Sequence, residues 1–140
     1  LALNIVEGDE EASIFCQHNF QLPTGYYKTG KSEEEFAGIM KEHAVDNYNA
    51  MVKKLNANGT HISPGFVLDK HDSPAFLINR SAHQRGADLI IIGAAGKTGA
   101  ASLLLGSVTE KLISLDKDIP LLVYKMKDKA YSFKDFIDSL

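Results

Sequence analysis

Glycines, a lysine and hydroxyl residues are concentrated in the stretch 93–107, GAAGKTGAASLLLGS. Two residues separate Gly93 from Gly96, and nine more precede Gly106-Ser107, which gives the pattern G-x2-G-x9-G-[ST]. Backbone N–H groups that no side chain shields can converge on a phosphate, and Lys97 adds a positive charge. The types and spacing of these residues therefore predict a phosphate-binding loop.

The loop needs a strand before it and a helix after it. Residues 89–92 are a continuous apolar run, which predicts a strand buried in a parallel sheet. Val108, Leu112 and Ile113 follow at helical spacing and predict a helix over 107–114, with Ser107 as its cap. The same glycines could instead form only a tight strand-to-helix connection without a ligand.

Residues 25–32, GYYKTGKS, match a second phosphate-binding pattern, the P-loop GxxxxGK[ST]. Pro23 lies where the preceding strand should end, and three glutamates follow at 33–35, where their charge would oppose phosphate. Ser32 and Glu35 also form the S-x-x-E pattern of a helix capping box. The P-loop is the weaker of the two interpretations, although Lys28 or Lys31 could still reach phosphates from an accessory loop.

Composition restricts the class of protein. The chain has 140 residues, a formal net charge of −3 and a single cysteine, Cys16. These values predict one domain, a reducing cytoplasm and no nucleic-acid partner. No apolar run approaches the roughly 20 residues that a membrane span needs, so no membrane partner is expected. The five histidines are dispersed and predict no metal site.

Strand and helix patterns alternate along the chain, which predicts an α/β fold with a parallel sheet. Strands are expected at 1–6, 60–68 and 119–124, and 13–22 is either an irregular strand or a loop. Pro64 favours an edge position for the strand 60–68. Helices are expected at 32–58, from Ser73-Pro74 to a stop at Gly86, and as an amphipathic tail helix at 132–140.

The loop pattern and its flanking residues resemble the universal stress protein family, in its ATP-binding branch. The resemblance rests on ADLIIIG at 87–93, LLLGSVTEKLI at 103–113 and IPLLVYK at 119–125. It implies a three-layer α/β fold of the adenine nucleotide α-hydrolase type, whose open, mostly parallel five-stranded sheet has the order 3-2-1-4-5. We expect this domain over 1–126 and a tail over 127–140. Residues 1–6 would be the family's second strand, and its first strand and helix have no counterpart in the sequence, so other residues or another chain would supply the central strand.

The resemblance also implies a ligand and partners. The ligand is ATP, or AMP, with Mg²⁺ only in company with the nucleotide, and no residue is expected to be catalytic. Any ATP hydrolysis would be slow. The expected nucleotide contacts are Gly93, Gly96, Lys97, Thr98, Gly106, Ser107, Val108, Ile5 and Val67. The expected partner is a second copy paired through the last strand, 119–125, or a tandem domain of a longer protein, of which this chain would be the C-terminal half. A ligand-free dimerisation domain of such a tandem protein is the alternative.

Overall fold

The computed structural model describes residues 1–57, 59–93, 105–115 and 118–124. The chain divides into two compact units, Leu1–Leu77 and Ile78–Leu140. The elements in chain order are α1 (Ala2–Ile5), β1 (Ser13–Phe20), a short 3₁₀ helix (Tyr26–Thr29), α2 (Glu33–Lys53), β2 (His61–Leu68), α3 (Pro74–Arg85), β3 (Ile90–Gly93), α4 (Ser107–Leu115) and β4 (Leu121–Tyr124). Strands and helices alternate from β1 onward, as the sequence predicted.

The strands form two parallel pairs. β1 pairs with β2 from Ser13 opposite His61 to Phe20 opposite Leu68. β3 pairs with β4 from Ile90 opposite Leu121 to Gly93 opposite Tyr124. Parallel neighbours need a long crossover, which α2 supplies in the first pair and α4 in the second. The described strands make two two-stranded sheets, and the five-stranded order 3-2-1-4-5 stays a prediction.

The N-terminus of α2 is fixed by the predicted capping box. The N–H of Glu35 donates to Ser32 Oγ at 3.1 Å, and the N–H of Ser32 donates to Glu35 Oε2 at 2.8 Å. The Ser32 backbone N–H holds the pKa of the Glu35 carboxyl below its ordinary value of 4.5. The helix ends at Lys53, earlier than the predicted 58, and Met51 and Leu55 near its end are exposed.

Both faces of the β1–β2 sheet have large aromatic contacts. On the α2 side, the Tyr48 hydroxyl donates to the Ile62 carbonyl at 3.1 Å, and its ring meets the Phe66 ring edge-on at 6.2 Å between centroids. On the other face the Phe15 ring lies directly over Gly65. A Cβ added to Gly65 would be 2.1 Å from Phe15 Cζ, so this ring position requires glycine at residue 65.

The end of α3 follows the prediction from Gly86. Gly86 has φ 61°, its N–H donates to the His83 carbonyl at 3.1 Å, and the N–H of Ala87 donates to the Ala82 carbonyl at 2.9 Å. These two bonds form a Schellman motif, in which a left-handed glycine lets the last carbonyls find donors. The α3 residues Ala75, Leu77 and Ala82 are buried.

The predicted strand at 1–6 is wrong. The chain forms the one-turn helix α1 there, with the N–H of Ile5 bonded to the Leu1 carbonyl at 3.1 Å. Leu1 and Ile5 are 49% and 46% exposed, and Ala2, Leu3 and Val6 are half-buried, so none of the apolar residues that suggested a buried strand is fully buried. Periodicity alone cannot distinguish a strand from a helix in so short a run. The regular strand is β1, in the segment whose conformation the sequence left open.

Within the described residues, no helix is long and apolar enough to cross a membrane. The same part of the chain contains no cluster of three or more His, Cys, Asp or Glu side chains that could hold a metal ion. Burial raises the pKa of the Cys16 thiol, which disfavours the reactive thiolate.

Candidate functional site

The glycine pattern begins and ends at described residues of the second unit. β3 ends at Gly93, which lies opposite Tyr124 of β4. α4 begins with Ser107, and the N–H of Glu110 donates to the Gly106 carbonyl at 3.0 Å. This bond makes Gly106 the N-cap and Ser107 the first helical residue, so the prediction that Ser107 caps the helix is off by one position.

Because Gly106 is the N-cap of α4, the backbone N–H groups that follow it are the ones available to an anion. The first amides of a helix have no acceptor inside it, and here they belong to Ser107, Val108 and Thr109. The helix dipole places partial positive charge at the same end. Ser107 is exposed, while Gly106 and Val108 are half-buried. The arrangement can bind a phosphate through the backbone without a basic side chain.

The body of α4 holds this end in place. Thr109 is 2% exposed and Leu112 is 3% exposed, one and two turns into a helix that contacts β4. The first turn therefore joins a buried anchor to an open N-terminus. A side chain change at Leu112 would displace the turn, whereas a change at Ser107 would act on it directly.

Polar side chains collect at the carboxyl end of the β1–β2 sheet. Gln21 Nε2 donates to Asp69 Oδ2 at 2.8 Å, and Asp69 is only 5% exposed. On β1, Gln17 Nε2 donates to Asn19 Oδ1 at 2.8 Å, and Asn19 Nδ2 donates to the Pro74 carbonyl at 3.3 Å. The Asp69 carboxylate is therefore buried against its amide partner rather than solvated.

A family model described as the universal stress protein family matches residues 20–125. The matched range contains β2, the β3–β4 pair and the complete G-x2-G-x9-G-S pattern, and it begins at the last residue of β1. The chain belongs to the universal stress protein family. Membership confirms the resemblance that the loop and its flanking strands indicated.

Two curated relatives from Methanocaldococcus jannaschii are similar to this chain. Universal stress protein MJ0577 is 33% identical over 123 residues, which cover 85% of this chain and 74% of the relative. Universal stress protein MJ0531 is 45% identical over 98 residues, which cover 70% of this chain and 55% of the relative. The chain therefore spans little more than half the length of MJ0531.

A solved structure of MJ0577, described as a structure-based assignment of the biochemical function of a hypothetical protein, is also similar. Its TM-score to this chain is 0.70 at 27% sequence identity, and the alignment covers 91% of this chain and 88% of that one. The similarity extends through nearly the whole chain and establishes the α/β fold of the universal stress proteins.

The remaining predicted nucleotide contacts differ in whether the structure describes them and where it places them. Gly96, Lys97 and Thr98 lie outside the described residues. Val67 is half-buried on β2, in the first unit, opposite Asn19. Ile5 was assigned through a strand that is in fact the exposed helix α1, and it precedes the range that the family model matches. The basis for Ile5 as a contact is thus removed.

The P-loop pattern at 25–32 uses its amides internally. The N–H groups of five residues donate to acceptors within 23–35: Tyr26, Lys28, Gly30, Lys31 and Ser32. A P-loop directs such amides at phosphate, and here they are occupied. The Glu35 carboxylate also accepts the backbone N–H of Ser32, the N-cap of α2, where a phosphate would bind. The structure therefore opposes the P-loop interpretation.

An exposed ion pair lies at the first turn of α2, next to the P-loop pattern. Lys70 Nζ lies 2.5 Å from Glu33 Oε1. The hydrogen bond between them lowers the pKa of Glu33 and raises that of Lys70. Lys70 is therefore engaged with the first turn of α2, which adds a further reason why this turn is not an anion site.

Proposed function

We propose that this universal stress protein binds an adenine nucleotide, ATP in preference to AMP, at the turn between β3 and α4. It would act as a regulatory module of the stress response. The phosphates contact backbone amides at both ends of the glycine pattern and residues inside it. The proposed contacts are Gly93, Gly96, Lys97, Thr98, Gly106, Ser107 and Val108.

The observation that supports this proposal best is the N-terminus of α4. Gly106 caps the helix, Ser107 is exposed, and buried Thr109 and Leu112 hold the first turn. Free amides and the helix dipole then act together on one point. The family-type spacing that connects this turn to Gly93 distinguishes it from an ordinary helix start.

The base-binding side of the site is supported by the family resemblance alone. Val67 stays a proposed adenine contact on that ground. Ile5 is withdrawn from the proposal because it lies on an exposed helix rather than on the family's second strand.

We propose binding without designed turnover. Phosphoryl transfer needs a positioned metal, an oriented nucleophile and charge clamps. The proposal includes Mg²⁺ only as a companion of the nucleotide, and it assigns no residue as a catalytic base. Any hydrolysis of ATP would be slow.

Assembly is part of the proposal. β4 offers the edge away from β3 to a second copy of the chain across a two-fold axis. In the family's order 3-2-1-4-5, strand 2 lies beside strand 3 and strand 4 lies beside strand 5. If β1 and β2 are the family's strands 2 and 3, and β3 and β4 its strands 4 and 5, the observed pairs are compatible with that order. The second candidate function, a ligand-free dimerisation domain of a tandem protein, would use the same β4 edge and leave the glycine pattern empty.

Thermal unfolding with and without ATP tests the proposal. At an ATP concentration about 100 times Kd, mass action stabilises the folded state by about 2.7 kcal/mol, which raises Tm by roughly 5–10 °C. Lys31→Ala is the matched control, because it removes the lysine of the opposed P-loop pattern and should leave the ATP-induced rise intact. A rise that disappears in Lys31→Ala would favour the P-loop instead.

A further inference from the structure

The hydrogen bonds of β2 show which of its residues face the outer edge of the β1–β2 sheet. The N–H of Asp69, directly after β2, donates to the Phe20 carbonyl at 2.8 Å, so the Asp69 backbone points towards β1. In a parallel strand the N–H and C=O of one residue point to the same side, and successive residues alternate between the two sides. The residues of β2 that face away from β1 are therefore Ile62, Pro64, Phe66 and Leu68.

Two features close the first half of this outer edge. Pro64 has no N–H and cannot donate to an added strand, and its exposure agrees with an edge position. The carbonyl of Ile62, on the same edge, accepts the Tyr48 hydroxyl at 3.1 Å. An incoming strand would thus meet no donor at Pro64 and an acceptor at Ile62 that is already bonded.

The position of Tyr48 obstructs the same edge. Tyr48 lies on α2, its ring meets the Phe66 ring edge-on at 6.2 Å between centroids, and its hydroxyl reaches the Ile62 backbone. The side chain therefore joins two outward-facing residues of β2, and Pro64 lies between them in the strand. A strand could pair with Ile62 only after the Tyr48 hydroxyl had left its carbonyl, which would break a part-buried hydrogen bond.

The composition of β2 explains why its edge needs protection. The strand is eight residues long and contains no Asp, Glu, Lys or Arg. Among the strands that the structure describes, β1 is the one that pairs with β2. Long uncharged edge strands pair readily with other chains, and proteins prevent this with charges, proline, bulges or a covering group. Without charged side chains, β2 depends on proline and a covering group.

We propose that Pro64 and Tyr48 form an edge guard, which prevents β2 from pairing with a strand of another copy of this chain. The guard combines a missing donor with an occupied acceptor on one edge. It leaves the β4 edge available for the assembly proposed above. The inference concerns backbone groups outside the proposed phosphate contacts, and it stands whether or not ATP binds.

Removal of the edge guard tests the proposal. Pro64→Thr supplies an N–H and a residue that favours strands, and Tyr48→Phe removes the hydroxyl but keeps the ring. The double variant should form larger assemblies than the wild type, with an association constant at least about tenfold higher, as sedimentation velocity over a concentration series would measure. Tyr27→Phe with Pro23→Thr is the matched control, because it makes the same two changes outside the β1–β2 sheet and should sediment like the wild type.

Site-resolved hydrogen exchange identifies the edge that pairs. The outward-pointing amides of Ile62, Phe66 and Leu68 should exchange at least about tenfold more slowly in the associated double variant than in the wild type. Pro64→Thr alone should show the same protection to a smaller degree, and it replaces the double variant if Tyr48→Phe unfolds the chain. A folded variant that sediments like the wild type at every concentration would overturn the proposal. Association without protection of these amides would also overturn it, because another surface would then be responsible.

Discussion

Replacing Gly106 with Asp is expected to weaken ATP binding by at least about 100-fold while leaving the ligand-free protein as stable as before. The carboxylate would lie at the N-cap of α4, where the proposed phosphates accept from the amides of Ser107 and Val108. The negative charge of the carboxylate and the space that it fills would then both oppose binding of the nucleotide phosphates. Aspartate is also a preferred N-cap residue, so the helix itself gains a few tenths of a kcal/mol over glycine.

Gly106→Asn distinguishes the effect of the added negative charge on ATP binding from the effect of the added side-chain volume. Asparagine has nearly the same size and is an equally good N-cap, but it is neutral, so about tenfold weaker binding is expected. Calorimetric titration with ATP measures both affinities, and thermal unfolding without ligand checks the fold. If Gly106→Asp bound ATP like the wild type, the start of α4 would not be the phosphate site.

Gly65→Ala is expected to lower the free energy of unfolding by about 1–3 kcal/mol. The new methyl group would lie 2.1 Å from Phe15 Cζ and 2.8 Å from Cε2, so the ring must leave its position over the β1–β2 sheet. Denaturant unfolding measures the loss. Nothing in the amino-acid pattern of β2 identifies this constraint, because it depends on a side chain of another strand.

Gly38→Ala is the matched control for this change. Gly38 lies inside α2, and a Cβ there would meet no atom within 4 Å, so alanine should stabilise the helix by about 0.5–1 kcal/mol. In a Phe15→Leu background the penalty of Gly65→Ala should shrink, because the smaller side chain makes room. A neutral Gly65→Ala in the wild-type chain would show that the Phe15 ring does not occupy the position described.

The sequence predicted the fold correctly where the deciding interactions join residues that are close together in the chain. Ser32 and Glu35 cap α2 through bonds between residues three apart, and Gly86 ends α3 through its own backbone conformation. The run at Ile90–Gly93 is a strand because three branched residues in sequence favour one. No contact from elsewhere in the chain was needed to predict these features.

The predictions were wrong where the conformation depends on contacts with residues that are distant in the sequence. Residues 1–6 looked like a strand, yet none of the described strands pairs with them and they form the helix α1. The polar residues Gln17 and Asn19 made β1 look irregular, although each side chain has a hydrogen-bond partner on the face opposite α2. The buried position of the Asp69 carboxylate likewise depends on Gln21, a partner that is distant in sequence.

The candidate site could be predicted only in part, because the sequence shows the spacing of its residues but not where the helix begins. The glycine spacing located the turn between β3 and α4, but the hydrogen bond from Glu110 shows that Gly106 rather than Ser107 is the N-cap. Spacing gives the order of residues along the chain, whereas the cap is set by which carbonyl starts the helix. The contact at Ile5 was assigned by aligning a six-residue segment as a strand, and that segment is the helix α1.

The most direct test of nucleotide binding is to denature the freshly purified wild-type protein and identify the small molecules that it releases by mass spectrometry. We expect stoichiometric ATP from the wild type and none from Gly106→Asp prepared in parallel. Release of no nucleotide, together with an unchanged Tm when ATP is added, would contradict nucleotide binding. The chain would then be better described as a ligand-free dimerisation domain.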